Sequence, residues 1–131
     1  YVANVGNPHA IIITEDVSTC PVETLGQQIS THPQFPEQCN ASFMEIIDHS
    51  NIKIRIYERN VGETQACGSA ANACAVIARS HFNTDSHMKI IMPGGSLHVH
   101  CESPHSPLIQ TGPSTFVFSG QWPITSQQSP A

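Results

Sequence analysis

The sequence predicts an α+β domain in which an antiparallel or mixed β-sheet wraps around one central buried α-helix. Three observations carry this. Residues 67–82 form an Ala-rich run with Val76 and Ile77, no proline, no glycine beyond Gly68 and no charge before Arg79, the pattern of a helix buried on all sides. Around it lie several short apolar or alternating runs bounded by Gly, Pro, Asn and Ser, the pattern of strands. The chain has 131 residues, 39% of them hydrophobic and 11% charged, which suits one globular core.

Taken in order, "AIIIT" at 10–14 is short, branched and apolar and reads as a buried strand. In "CPVETLGQQISTH", Pro21 opens a helix with Glu23 in its first turn, and Val22, Leu25 and Ile29 share one face. Pro33 and Pro36 stop it. "SFMEIID" at 42–48 and "NIKIRIYE" at 51–58 are separated by only two residues and read as an antiparallel pair. In the second, Ile52, Ile54 and Ile56 alternate with Lys53 and Arg55, the period of a half-solvated strand. After the helix come four more strand candidates: "HMKIIMP", "SLHVHCE", "PLIQTG" and "TFVFSGQW" at 115–122, the first two joined by a Gly94-Gly95 turn. The domain is expected to span residues 1–122, followed by a flexible tail over 123–131.

Composition excludes several functions. Net charge is -5, and Lys53, Arg55, Arg59, Arg79 and Lys89 are scattered, so no nucleic-acid partner is expected. No apolar run approaches the roughly 20 residues of a membrane crossing. The chain starts at Tyr1 without Met, basic n-region or apolar h-region, so no secretory signal is visible and the chain is expected to be a piece of something longer. Five irregularly spaced cysteines do not form a disulfide framework, which points to a reducing cytoplasm. "HVHC" at 98–101 has ligand-like spacing, but no second Cys or His cluster completes a zinc site, so no metal is expected. Neither G-x-G-x-x-G nor a P-loop occurs, and Lys53 and Lys89, in strands, are poor Schiff-base candidates; no cofactor is expected.

The chemistry-bearing residues cluster around Cys67. A helix N-terminus offers unpaired N–H groups and the positive end of the macrodipole, and a thiol placed there is favoured as thiolate. Gly68, Ser69 and Ala70 follow, small enough for a carboxylate to reach the same N–H groups. A small residue packed at a helix start fits Cys67 equally well. Cys74, among Ala73, Ala75 and Val76, reads as core. Glu58 and Arg59 end the alternating strand before the turn to Cys67; they fit a substrate-binding rim, since Arg can hold a carboxylate bidentately and Glu can accept from an ammonium, or a solvated charge pair. Asn7 and His9 in "GNPH" fit a turn, as does Asn40 before its strand.

Six blocks, "GNPHA" at 6–10, "PVETLG" at 21–26, "FPEQCNASF" at 35–43, "YERNVGETQACGSAANA" at 57–73, "MPGG" at 92–95 and "TGPSTFVFSGQW" at 111–122, together resemble the C-terminal half of diaminopimelate epimerase. The resemblance implies a pseudo-symmetric isomerase that interconverts LL- and meso-diaminopimelate without pyridoxal phosphate, in lysine and peptidoglycan precursor biosynthesis, with one catalytic cysteine from each half. It implies that Cys67 is the second-half cysteine and that Gly68 and Ser69 bind the reacting carboxylate. It implies likewise that Asn7, Asn40, Glu58 and Arg59 bind substrate, particularly its distal amino-acid end, and that His9 and Glu58 tune the cysteines. Cys20, Cys39, Cys74 and Cys101 do not stand in the first-half setting, so the N-terminal half is expected as a missing partner and the chain alone is expected to be inactive. An exposed face left by that half makes a homodimer possible. The competing reading is a non-catalytic module of the same fold that binds an amino acid or self-associates.

Overall fold

The structure, a computed structural model, describes residues 1–123. Its elements in chain order are β1 (Val2–Asn4), β2 (Pro8–Ile13), a 3-10 turn (Val17–Thr19), α1 (Val22–Ser30), β3 (Asn40–Ile46), β4 (Asn51–Glu58), β5 (Gly62–Thr64), α2 (Gly68–His81), β6 (His87–Met92), β7 (Gly95–His100) and β8 (Ile109–Thr111). The strands form one mixed sheet ordered β1-β2-β3-β4-β6-β7-β8, with β5 on β4. β3 and β4 pair antiparallel as expected, Met44 opposite Ile54. β2–β3 and β4–β6 are parallel, and α1 and α2 lie within the connections that parallel neighbours require.

Alternation along the strands separates two cores. Ile11, Met44, Ile52, Ile54 and Ile56 face α2, where Ala70, Ala71, Ala73, Cys74, Ala75 and Ala78 bring the helix close to the sheet. The intervening residues Ala41, Phe43 and Tyr57 face the other way, onto Val22, Leu25 and Ile29 of α1. The helix face read from the sequence is therefore the one α1 buries. α2 is fully buried toward the sheet, but its flank is not: Asn72 and Val76 are half-buried and line a groove of about 540 Å³ with β1 and residues 104–108.

Arg55, on the expected solvated side of β4, is instead a fastener. Its Nε and Nη2 bond Glu63 Oε1 and Oε2 at 2.7 and 2.9 Å, and its Nη1 bonds the carbonyls of Val17, Ser18 and Cys20. This bidentate geometry is one lysine could not reproduce.

Other differences have local causes. β1 and β5 have three residues each, too few for periodicity to show. β2 starts at Pro8 rather than Ala10 and takes in His9, which is fully buried. The predicted strand at 115–122 is absent: residues 112–123 carry no regular structure and are exposed, because no neighbouring strand pairs with them among the described residues. Of the predicted tail, residues 124–131 lie outside the described residues.

α1 crosses β4 at Gly26, where an added Cβ would overlap Tyr57 Cβ and lie 2.7 Å from its Cγ. Gly26→Ala, otherwise favourable in a helix, is expected to destabilise the domain by about 1–3 kcal/mol through overpacking. Urea denaturation of the two proteins measures it, and equal stability would contradict the close approach.

Candidate functional site

The predicted site residues converge at one end of the sheet, over the start of β2 and β3 and the end of β4. Register brings them there: His9 pairs with Asn40 across β2–β3, and Glu58, last in β4, pairs with Gly62. Asn60 at φ 62 and Gly62 at φ +108 turn the chain into β5, from which it runs to the N-terminus of α2. Gly94 donates to the Gln65 carbonyl at 2.7 Å and anchors this loop.

Cys67 is the N-cap of α2. Its backbone is extended and its side chain makes no capping bond, while its carbonyl accepts the first helical hydrogen bond from Ala71 at 3.1 Å. Gly68 and Ser69 thus contribute first-turn N–H groups that lack intrahelical acceptors. Cys67, Gly68 and Ser69 are half-buried.

A chain of side-chain hydrogen bonds ends on the Cys67 sulfur. His9 Nε2 lies 3.0 Å from Asn7 Oδ1, Asn7 Nδ2 lies 3.3 Å from Ser69 Oγ, and Ser69 Oγ lies 3.4 Å from Cys67 Sγ. An amide oxygen only accepts, so the imidazole donates through Nε2. The Asn7 amide then donates to Ser69 Oγ; between Ser69 Oγ and Cys67 Sγ the thiol or the hydroxyl can donate, and a thiolate there can only accept. Burial of His9 pushes its pKa from 6.5 down to about 4, partly countered by Glu58 and reinforced by Arg59. The imidazole is therefore neutral at neutral pH, with the proton on the nitrogen that feeds the chain, and its Nδ1 is buried without a partner.

The remaining predicted residues stand beside this chain. Asn40 is buried, and its Oδ1 accepts from the Arg59 backbone N–H at 3.0 Å. Arg59 and Glu58 are half-buried. Arg59 Nη1 donates to the Glu37 carbonyl at 3.1 Å, and Glu58 Oε1 accepts from Thr64 Oγ1 at 2.7 Å. Asn7 and Asn40 therefore hold neighbouring groups, which their reading as turn residues did not anticipate.

Sequence reasoning missed Thr64 and Gln110. Thr64 could have been found by continuing β4 through the Asn60–Gly62 turn, which sets it opposite Ile56 and diagonal to Glu58. Gln110, on β8, had no local signal: a Cβ at Gly68 would lie 3.0 Å from its Nε2, so its amide abuts the α2 N-terminus. The other thiols are placed differently. Burial pushes Cys74 up to about 12 and raises Cys39 and Cys101, while Cys20 sits 3.5 Å from Thr14 Oγ1. His98 and His100 belong to no group of three or more ligand-type side chains placed to hold a metal among the described residues.

Comparison with known proteins bears on this arrangement. A family model described as diaminopimelate epimerase matches residues 1–117. The chain belongs to the diaminopimelate epimerase family. It is 51% identical over 120 residues to a diaminopimelate epimerase of Legionella pneumophila strain Philadelphia 1, and 50% identical to that of strain Corby. Each alignment covers 92% of this chain and 43% of the relative, so the chain spans less than half the length of these epimerases. Among solved structures, a phenazine biosynthesis PhzF-family protein of Enterococcus faecalis is similar with a TM-score of 0.58 at 21% identity, over 74% of this chain and 35% of that one. A predicted epimerase of Pseudomonas aeruginosa gives 0.52 at 16% identity, over 79% and 35%. At these identities the structures show a shared fold.

The depressed His9 pKa makes stability depend on pH. The unfolded chain binds a proton here as pH falls through 6.5, while the folded chain does not until about 4. His9 thus contributes stability in full above pH 6.5, and about 3 kcal/mol of it is lost as pH falls from 6.5 to 4. Urea denaturation across this range should show wild type losing more stability than His9→Gln. Identical pH slopes would contradict the buried neutral imidazole.

Proposed function

We propose that this chain is the C-terminal half of a cofactor-independent amino-acid epimerase interconverting LL- and meso-diaminopimelate, with Cys67 as one of its two proton-transfer groups. The observation that carries this is the hydrogen-bond chain from His9 through Asn7 and Ser69 to the Cys67 sulfur at the start of α2, whose last hydroxyl is in place to donate to a thiolate. A core cysteine needs no such donor, whereas a thiolate is stabilised by one.

In the proposed step the Cys67 thiolate takes the α-proton of the substrate. The C–H bond breaks, an S–H bond forms, and the electron pair passes into the adjacent carboxylate. A thiol of the other half returns a proton to the opposite face. The carbanion is costly, and the first-turn N–H groups at Gly68 and Ser69 with the α2 dipole offer preorganised positive potential where its charge grows. Asn7, Asn40, Glu58 and Arg59 would receive the distal amino-acid end, Arg59 on its carboxylate and Glu58 on its ammonium. His9, held neutral, would tune the thiol through the hydrogen-bond chain described above, and Glu58 would do so through its charge beside His9. Cys39, Cys74 and Cys101 are fully buried, and Cys20, just before α1, is held against Thr14 Oγ1; none of the four replaces the second thiol, so the chain alone is expected to be inactive. A missing half also leaves open apolar surface, which favours self-association.

Following α-proton exchange from LL-diaminopimelate in deuterated water by NMR tests the reading. The chain alone should give none. Enzyme completed with its other half should exchange, and Cys67→Ser should lower its rate by about 10²-fold or more. Turnover unaffected by Cys67→Ser would overturn it.

Iodoacetamide at neutral pH should label Cys67 ahead of the other four thiols, and Ser69→Ala should slow that labelling about 5-fold, the loss of one hydrogen bond. Slow, uniform labelling of all five thiols would favour a module that binds without catalysis.

A further inference from the structure

β8 carries its polarity the wrong way round. Register sets Gln110 opposite Val99, and Ile109 and Thr111 opposite His100 and His98. Val99 is buried in the core around α2, so Gln110 stands on the inward side of the last strand, while Ile109, 59% exposed, stands on the outward side. Gln110 is itself exposed. An inward glutamine that no part of the described chain covers is not serving the packing of the core.

Its side chain ends at a particular place. A Cβ built on Gly68 would lie 3.0 Å from Gln110 Nε2 and 3.3 Å from Oε1. The Cα–Cβ direction in a helix tilts toward the N-terminus, so the carboxamide stands beside the open end of α2. Gly68 does not have a positive φ; what the glycine provides is room, since a side chain there would push the amide aside. The side-chain bonds at this end of the sheet join His9, Asn7, Ser69 and Cys67, Asn40 with Arg59, and Thr64 with Glu58. Among the described residues Gln110 takes part in none of them, and the Cys67 side chain leaves the first turn uncapped. An unused carboxamide beside unspent N–H groups suits an anion: a carboxylate in front of Gly68 and Ser69 accepts from the backbone, and the amide turns its NH2 toward it as a further donor.

We propose that Gln110 is a substrate-binding residue of this site, its Nε2 donating to the carboxylate of the reacting amino-acid centre beside the N–H groups of Gly68 and Ser69. Resting on the epimerase chemistry set out above, this extends the site to the last strand of the sheet, so that α2 and β8 hold the carboxylate from two sides. Charge on that carboxylate grows as Cys67 takes the α-proton, so the bond is stronger in the transition state than in the bound substrate and serves turnover as well as binding.

The test uses enzyme completed with its other half and follows α-proton exchange from LL-diaminopimelate for wild type, Gln110→Met and Gln110→Glu. Methionine keeps the length and removes the donor; glutamate keeps the shape and sets a negative charge against the carboxylate. Gln110→Met should lower kcat/KM about 10-fold, the loss of one hydrogen bond to a charged group. Gln110→Glu should lower it about 10²-fold or more, with the larger part in KM. A merely structural glutamine would accept glutamate at least as well as methionine. Calorimetric binding of LL-diaminopimelate to Cys67→Ser enzyme, where no turnover intervenes, should weaken in the same order, and His98→Gln, on the outward face of β7, should match wild type. Wild-type behaviour of both Gln110 variants, or equal losses in the two, would overturn this role while the loss of turnover in Cys67→Ser still stood. Absence of LL-diaminopimelate binding to the completed wild-type enzyme would overturn both readings.

Discussion

The contact on which the architecture depends is the seating of α2 against the sheet through alanines. Ala70, Ala71, Ala73, Ala75 and Ala78 present almost no side chain, so the helix comes close enough for Ile52, Ile54, Ile56, Met88 and Ile90 to pack around it. Because dispersion contacts fall off steeply with separation, that closeness also fixes where the helix begins. A bulkier residue in the stripe would lift the helix and carry its N-terminus away from the ends of β2 and β3. The position of Cys67 relative to Asn7 is thus set by packing that starts at Ala70 and continues along the helix to Ala78.

The same end of the sheet shows polar groups used for holding. Asn40 spends its carbonyl on the Arg59 backbone, Thr64 steadies Glu58, and Arg55 on the opposite face binds Glu63 and three carbonyls before α1. Each bond is individually modest. Together they leave the hairpin of β4 and β5 little freedom at the point where it delivers the chain to α2.

Much of the fold was legible because its signals are local. The alternation of Ile52, Ile54 and Ile56, the charge-free run into α2 and the Val22, Leu25, Ile29 face each report burial within a few residues. What was not legible depends on pairing. Three-residue strands have no measurable period, and His9 read as a turn residue because nothing nearby reveals that β2 begins before it. The stretch 115–122 shows the converse: its alternation says what the segment would do beside another strand, and among the described residues none is beside it. At the site, Cys67, Gly68 and Ser69 could be singled out from a helix start alone. The link from Ser69 to Asn7 spans 62 residues, and Gln110 reaches Gly68 from the last strand, so neither had a signature in local sequence.

β4 has two different neighbours on one edge. β6 pairs with Asn51–Lys53, and β5 pairs with Ile56–Glu58, leaving Ile54 and Arg55 between them. The sheet therefore branches at β4. One branch carries β6, β7 and β8; the other is the short hairpin that runs to Cys67. The wing nevertheless returns to the same place, since Gly94 in the β6–β7 turn donates to the Gln65 carbonyl at 2.7 Å and the amide of Gln110 on β8 abuts Gly68. The two branches therefore close a ring through the start of α2, and a displacement of the β6–β7 hairpin has only the two residues from Gln65 to Cys67 to cross before it reaches the sulfur.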